Sequence, residues 1–326
     1  EHFGMPAVLS RPRHLGLPSN HPMHCGYDAT AILPECDLII VADSDVPWIP
    51  SLVQPQPSAK IAHLGNDPLF ERYPTRGFRA DLTIEGETIT SLEQLFAITS
   101  PDSFKDIKAA RQSWVKSHRE PTAPPKRDTQ PVLPDKITPR WISACIDMAK
   151  DGDAIVVNEY PLMLDEVSFD EPETYYSHSP SAGLGWGMGA ALGVKLAHPD
   201  KTVISTVGDG TYMFGNPTPV HFVSKAHDLP LLFTIFNNAH YGAVHRATLS
   251  MYPDGTAQAM EGPPFSTLEP SPDYDIPVQA SGGYGEKITD PKALPGAIKN
   301  ALDMVRNEKR QVVLNVICEA IYVRTS

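Results

Sequence analysis

Two side chains in this sequence could anchor a metal site together. Asp209 stands in Gly208-Asp209-Gly210-Thr211, directly after the apolar run Val203-Ile204-Ser205-Thr206-Val207. Asn238 closes Asn237-Asn238, directly after Leu231-Leu232-Phe233-Thr234-Ile235-Phe236. Short apolar runs of this kind predict buried parallel strands. Two such strands open on one edge of the sheet, where open α/β sheets bind their ligands. A carboxylate and an amide then converge from adjacent strand ends. Both are hard oxygen donors of the type Mg2+ takes, and Mg2+ usually completes its octahedron with phosphate oxygens and water. The flanking glycines let backbone approach a phosphate closely. The competing reading is a pair of β-turns, and the strand–helix–strand context argues against it.

Gly-Asp-Gly followed about two dozen residues later by Asn-Asn resembles the signature of thiamine-diphosphate-dependent enzymes. The resemblance extends along nearly the whole chain to acetolactate synthase-like and benzoylformate decarboxylase-like members. It implies that Mg2+ is held by the Asp209 and Asn238 side chains and by the backbone carbonyl of His240. It places Gly208, Gly210 and Thr211 at the diphosphate, with Tyr241 and Gly242 beside the cofactor. Ala243 and Val244 become apolar walls of the substrate pocket, or else the packed start of a helix.

The segment Ser181-Ala182-Gly183-Leu184-Gly185-Trp186-Gly187 is similar to the stretch in which the family places a large apolar wedge under the cofactor. By position the wedge is Leu184, and the Ala182 carbonyl accepts from the aminopyrimidine. The wedge brings the cofactor's amino group to its own C2 proton. The plainer reading of these small residues is close helix-to-sheet packing. At Asn158-Glu159-Tyr160-Pro161-Leu162 relatives contribute diphosphate contacts. Pro161 departs from that pattern because it has no N–H, which leaves the Tyr160 hydroxyl as the substitute. His21, in Asn20-His21-Pro22-Met23-His24, is either a proton donor of the kind some decarboxylases use or a structural histidine.

These residues must be carried by two units. Residues 1–118 hold three apolar runs, Asp37 to Asp43, Ala59 to Leu64 and Asp81 to Gly86, followed by helices from about Ser91 to Ile98 and from about Ser103 to His118. Ser91 or Thr90 is the expected cap of the first helix. This unit resembles the C-terminal part of the family's Rossmann-like central domain and has few helices for its strands. Residues 119–138 contain Pro121, Pro124, Pro125, Pro131 and Pro134 and read as a semi-rigid linker. Residues 139–326 alternate helix and strand, which predicts an α/β fold with a doubly wound parallel sheet, the thiamine-diphosphate-binding fold. Within it, residues 252–277 are rich in Pro, Gly and Ser, as a lid or a disordered segment is.

The formal net charge is -12 and there is no basic run, which argues against a nucleic-acid surface. The four cysteines have no metal spacing, and buried thiols in an intracellular, cytoplasmic protein are the expectation. No apolar run reaches the roughly 20 residues that cross a bilayer. A nucleotide-binding Rossmann protein would need Gly-x-Gly-x-x-Gly after a first strand, and none is present.

The family's pyrimidine-binding domain, whose glutamate bonds the aminopyrimidine, matches no segment here. The resemblance therefore implies the C-terminal half of a 2-keto acid decarboxylase or carboligase that is silent alone. A companion chain or a cleaved fragment would carry the N-terminal half, and the combined halves would form a homo-oligomer. The substrate would be a small 2-keto acid or aldehyde. FAD is possible, and the flavin-contacting part of the family's central domain would lie mostly in the N-terminal half. The alternative is a non-catalytic cofactor-binding or regulatory homologue.

Overall fold

The computed structural model describes residues 3–73, 77–99, 104–119, 133, 135–178, 183–260 and 266–320. They divide into two compact units. The first comprises Glu1–Pro12 and Gly16–Ala123; the second comprises Arg13–Leu15 and Pro124–Ser326.

In the first unit β1 (Leu38–Ala42), β2 (Lys60–Gly65) and β3 (Leu82–Glu85) form a parallel sheet in the order β1-β2-β3. Helices α1 (Thr88–Ile98) and α2 (Lys105–Arg119) follow. The α1 cap is neither Ser91 nor Thr90. The carboxylate of Glu87 accepts from the Thr90 N–H at 2.6 Å, so the helix starts a turn earlier. Every residue of β3 is exposed and α1 buries none, so this sheet is covered more thinly than an ordinary α/β layer.

The second unit is a six-stranded, wholly parallel sheet in the order β5-β4-β6-β7-β9-β8. Its elements run α3 (Pro139–Ala149), β4 (Ile155–Glu159), β5 (Tyr175–Ser177), α4 (Trp186–Ala197), β6 (Val203–Gly208), α5 (Asp209–Phe214), α6 (Pro217–Ala226), β7 (Leu232–Asn237), α7 (Gly242–Met251), α8 (Thr256–Ala259), β8 (Tyr284–Ile288), α9 (Leu294–Asn307) and β9 (Val312–Ile317). Thr138 caps α3, accepting from the Trp141 N–H at 3.2 Å.

Alternation along each strand sends side chains to two faces. Val156, Ile204, Leu232 and Leu314 pack with Ile142 and Ile146 of α3 and Ile298 and Leu302 of α9. Val157, Val207, Phe233, Ile235 and Val313 pack with Met188 and Leu192 of α4 and Tyr212 of α5. Helices thus cover both faces, and the sheet is doubly wound as the alternation predicts. The short edge strand β5 adds a pairing outside the sequence reading: Ser177 N–H donates to the Arg13 carbonyl at 2.7 Å, and His14 bridges Tyr176. This is why residues 13–15 count with the second unit.

No described helix is long and apolar enough to cross a membrane. Cys25 and Cys145 are buried free thiols, and Cys36 and Cys318 are half-buried.

Candidate active site

The C-terminal ends of β6 and β7 are paired in register, Gly208 opposite Phe236, so the residues that follow them emerge side by side. Asp209 is 2% exposed at the start of α5. One of its carboxylate oxygens accepts from the Gly210 N–H at 2.8 Å, and the other from the His240 N–H at 3.2 Å. The same His240 N–H also lies 3.0 Å from the Asn238 side-chain oxygen. The two predicted ligand oxygens therefore meet at one backbone group. His240 faces Thr267 in an antiparallel bridge, and the bonds of that bridge are made by its neighbours, Tyr241 N–H to Ser266 and Leu268 N–H to Ala239. In such a non-bonded pair the N–H and C=O of the central residue both point away from the partner segment. The His240 carbonyl is thereby turned away from the Thr267 segment.

Burial raises the Asp209 carboxyl to about 6, against four backbone N–H groups that pull it down. A desolvated carboxylate beside an amide oxygen and an outward carbonyl is a hard-oxygen set that fits Mg2+. Among the described residues no three His, Cys, Asp or Glu side chains gather as a metal site, so a thiolate- or imidazole-type centre is not what these side chains build.

Asn237, the first of the two asparagines, turns inward. Its amide donates to Asn315 at 2.9 Å and to Ser271 at 3.0 Å, while its oxygen accepts from the Ala239 N–H. This ties the β7 end to β9 and to the 266–271 segment. The later part of the Pro-rich 252–277 stretch is thus bound to the site, and α8 lies in its earlier part.

Three of the positions assigned to the cofactor, Gly210, Thr211 and Pro161, are buried. A Cβ on Gly210 would stand 2.5 Å from the Tyr241 ring, so the absence of a side chain makes room for that ring. Pro161 lies beneath a turn held by Asn158, whose side-chain oxygen accepts from the Leu162 N–H at 3.2 Å. Of that pair only Tyr160 is presented, 50% exposed. Gly208 stays open on its Cβ side, with its nearest neighbour Thr211 Oγ1 at 3.9 Å. Tyr241 and Gly242 are half-buried at the start of α7, which has no side-chain cap. Ala243 and Val244 are exposed, so they are not packed as a helix start on the sheet. Leu184 is 43% exposed and likewise outside the core. Ala182 lies outside the described residues. His21 belongs to the first unit, where its Nδ1 accepts from the Met23 N–H at 3.1 Å.

Glu159 carries a role that the sequence reading missed. Its carboxylate accepts from the Gly185 N–H at 2.8 Å and from the Gly187 N–H, and so caps α4 from the end of β4. Gly187 is required there, since a Cβ would meet the Glu159 Cβ at 2.8 Å. The available signal was a helix opening on Gly-Trp-Gly with no local Ser, Thr, Asp or Asn to cap it.

Residues 159–316 match the family described as thiamine pyrophosphate enzyme, C-terminal TPP binding domain. The chain is 26% identical over 333 residues to the acetolactate synthase isozyme 3 large subunit of Escherichia coli, covering 95% of this chain and 54% of the relative. It is 24% identical over 207 residues to sulfoacetaldehyde acetyltransferase of Alcaligenes xylosoxydans, covering 63% and 31%. The chain spans about half the length of the curated relatives it matches most fully. Its fold is that of the thiamine diphosphate-dependent 4-hydroxybenzoylformate decarboxylase of Rhodococcus jostii, with a TM-score of 0.73 at 21% identity over 98% of this chain and 57% of that one. Benzoylformate decarboxylase from Polynucleobacter necessarius gives 0.71 at 18% identity. Residues 159–316, within the second unit, are thus similar to the C-terminal TPP binding domain of thiamine pyrophosphate enzymes.

Proposed function

We propose that this chain supplies the metal- and diphosphate-binding half of a thiamine-diphosphate- and Mg2+-dependent 2-keto acid decarboxylase or carboligase. The observation that carries the reading is the meeting of the Asp209 and Asn238 oxygens at the His240 N–H, inside a domain of the family that binds this cofactor. Asp209, Asn238 and the His240 carbonyl would hold Mg2+. Backbone at Gly208 and the uncapped N–H groups opening α7 suit the diphosphate, since a helix start favours anions. The cofactor, when bound, would supply an electron sink for the pair left on the former carbonyl carbon as CO2 departs. Leu184 shapes its seat, while Ala243 and Val244 line the substrate side and keep water from it.

Glu159 is committed to α4, so it is not the carboxylate that bonds the aminopyrimidine. That group is expected from the pyrimidine-binding domain of a companion chain or fragment. Exposed Met213 and Phe214 on α5, Phe222 on α6, and Val244 and Met251 on α7 are consistent with a partner surface. A flavin would show in the absorbance spectrum of the purified native particle.

The test is a titration of thiamine diphosphate in the native assembly, with and without Mg2+, followed by tryptophan fluorescence. Binding is expected to require the metal. Asp209→Ala should weaken it by at least about 10- to 100-fold, the loss that even outer-shell changes cause. Unchanged affinity in the variant would refute the assignment.

A further inference from the structure

Tyr160 has a backbone φ of 87°, a conformation that is an outlier for a bulky aromatic residue. Such strain collects at ligand clamps and active sites. The residue follows β4, and its ring is half exposed rather than packed. The guanidinium of Arg246 lies over that ring, 5.7 Å from its centroid, and donates to its hydroxyl. Arg246 sits on α7, which follows β7. In the sheet β4 and β7 are the two neighbours of β6. The Tyr160–Arg246 contact therefore crosses the end of β6, where Gly208 and Asp209 emerge.

Arg246 is also three residues beyond Ala243 and four beyond Gly242, so the three share one helix face. A long helical side chain leans back over the preceding turn. Arg246 thus runs back over the opening turn of α7, past the apolar positions assigned to the substrate, to the exposed hydroxyl at the sheet edge. An arginine held at an aromatic hydroxyl beside an apolar wall suits a planar, bidentate oxyanion.

The geometry points to Arg246, held by Tyr160, as the group that recognises a carboxylate on the substrate. This rests on the 2-keto acid reading of the same site. The cofactor's diphosphate offers the same anionic chemistry, but Mg2+ would neutralise it, which leaves the substrate carboxylate as the anion for this guanidinium. The consequence for catalysis is specific. An ion pair to the carboxylate that is later lost is made in the ground state and dissolves in the transition state. It lowers KM without raising kcat.

The test compares wild type, Arg246→Ala and Arg246→Lys in the native assembly, with pyruvate and benzoylformate as substrates and their methyl esters as uncharged competitive ligands. For Arg246→Ala, KM for the better acid should rise about 10- to 100-fold, the range of a lost charged hydrogen bond. Its kcat should hold or increase, and Ki for the matching ester should stay within about twofold. Lys should recover part of the KM loss, because it keeps the charge without the fork. Thiamine diphosphate affinity by tryptophan fluorescence should be unchanged.

Equal weakening of acid and ester would overturn the proposal, as would an unchanged KM. Loss of cofactor affinity instead would assign Arg246 to the diphosphate and overturn it equally. A wild type that binds cofactor yet decarboxylates neither acid would count against the functional reading, and this proposal would fall with it. A wild type active on either acid but insensitive at Arg246 would sink this proposal alone.

Discussion

Leu184 and Asp209 illustrate how much a single position can be asked to do. Leu184 is 43% exposed, so its role cannot be to fill the core. Leu184→Ala should therefore cost much less than the roughly 2–5 kcal/mol of a packed leucine. It should instead slow C2 proton exchange of bound thiamine diphosphate, measured by deuterium exchange in the native assembly, with diphosphate affinity kept. Exchange at the wild-type rate would remove Leu184 from the site. The place of Asp209 at the C-terminal end of β6 was legible from its neighbours, because an apolar strand directly precedes Gly-Asp-Gly. Gly210 was not legible in the same way. Its need for the Tyr241 ring arises from contact between residues 31 apart in sequence, which no local pattern encodes.

At the scale of elements, α5 and α6 are joined by a buried chain of polar groups. Gln311 donates its amide to the His221 carbonyl at 3.0 Å, which turns its oxygen to His221 Nδ1, also at 3.0 Å. Nδ1 therefore carries the proton, and Nε2 accepts from the Tyr212 hydroxyl at 2.6 Å. Tyr212 lies on α5, which starts at Asp209, so this chain braces the helix that opens on the site. Burial pushes the His221 imidazole down to about 4. The unfolded chain takes up a proton near the ordinary value of about 6.5 and the folded one does not. Stability from this group is full above about 6.5 and is lost as pH falls towards 4, by roughly 3 kcal/mol. Urea denaturation across that range should show the slope, and His221→Gln should flatten it; an unaltered slope would mean that His221 is not its source.

The elements that sequence made legible are those whose own pattern decides them. β4, β6, β7 and β9 are nearly fully buried apolar runs. The edge strands were not legible. β5 has three residues and exists through its pairing with β4, and β8 is mostly half-exposed, with Glu286 and Lys287 breaking its apolar pattern. The start of α5 at Asp209 was equally hidden, since Gly208-Asp209-Gly210 has the composition of a turn.

At the scale of the molecule, the second unit closes its own core on both sheet faces. The first unit leaves Leu82, Ile84, Ile89, Phe96 and Ile98 exposed. The curated relatives matched most fully are nearly twice as long. The proposed function expects the carboxylate that bonds the aminopyrimidine from a further domain, since Glu159 is held at the start of α4. The most direct measurement is CO2 release from pyruvate or benzoylformate with Mg2+ and thiamine diphosphate. It should be made on a verified single-chain preparation of residues 1–326, and again with the chain that co-purifies from the native source. The account predicts no turnover from the single chain and turnover from the completed particle. Robust turnover from the single chain would contradict it, and so would a completed particle that binds cofactor but releases no CO2.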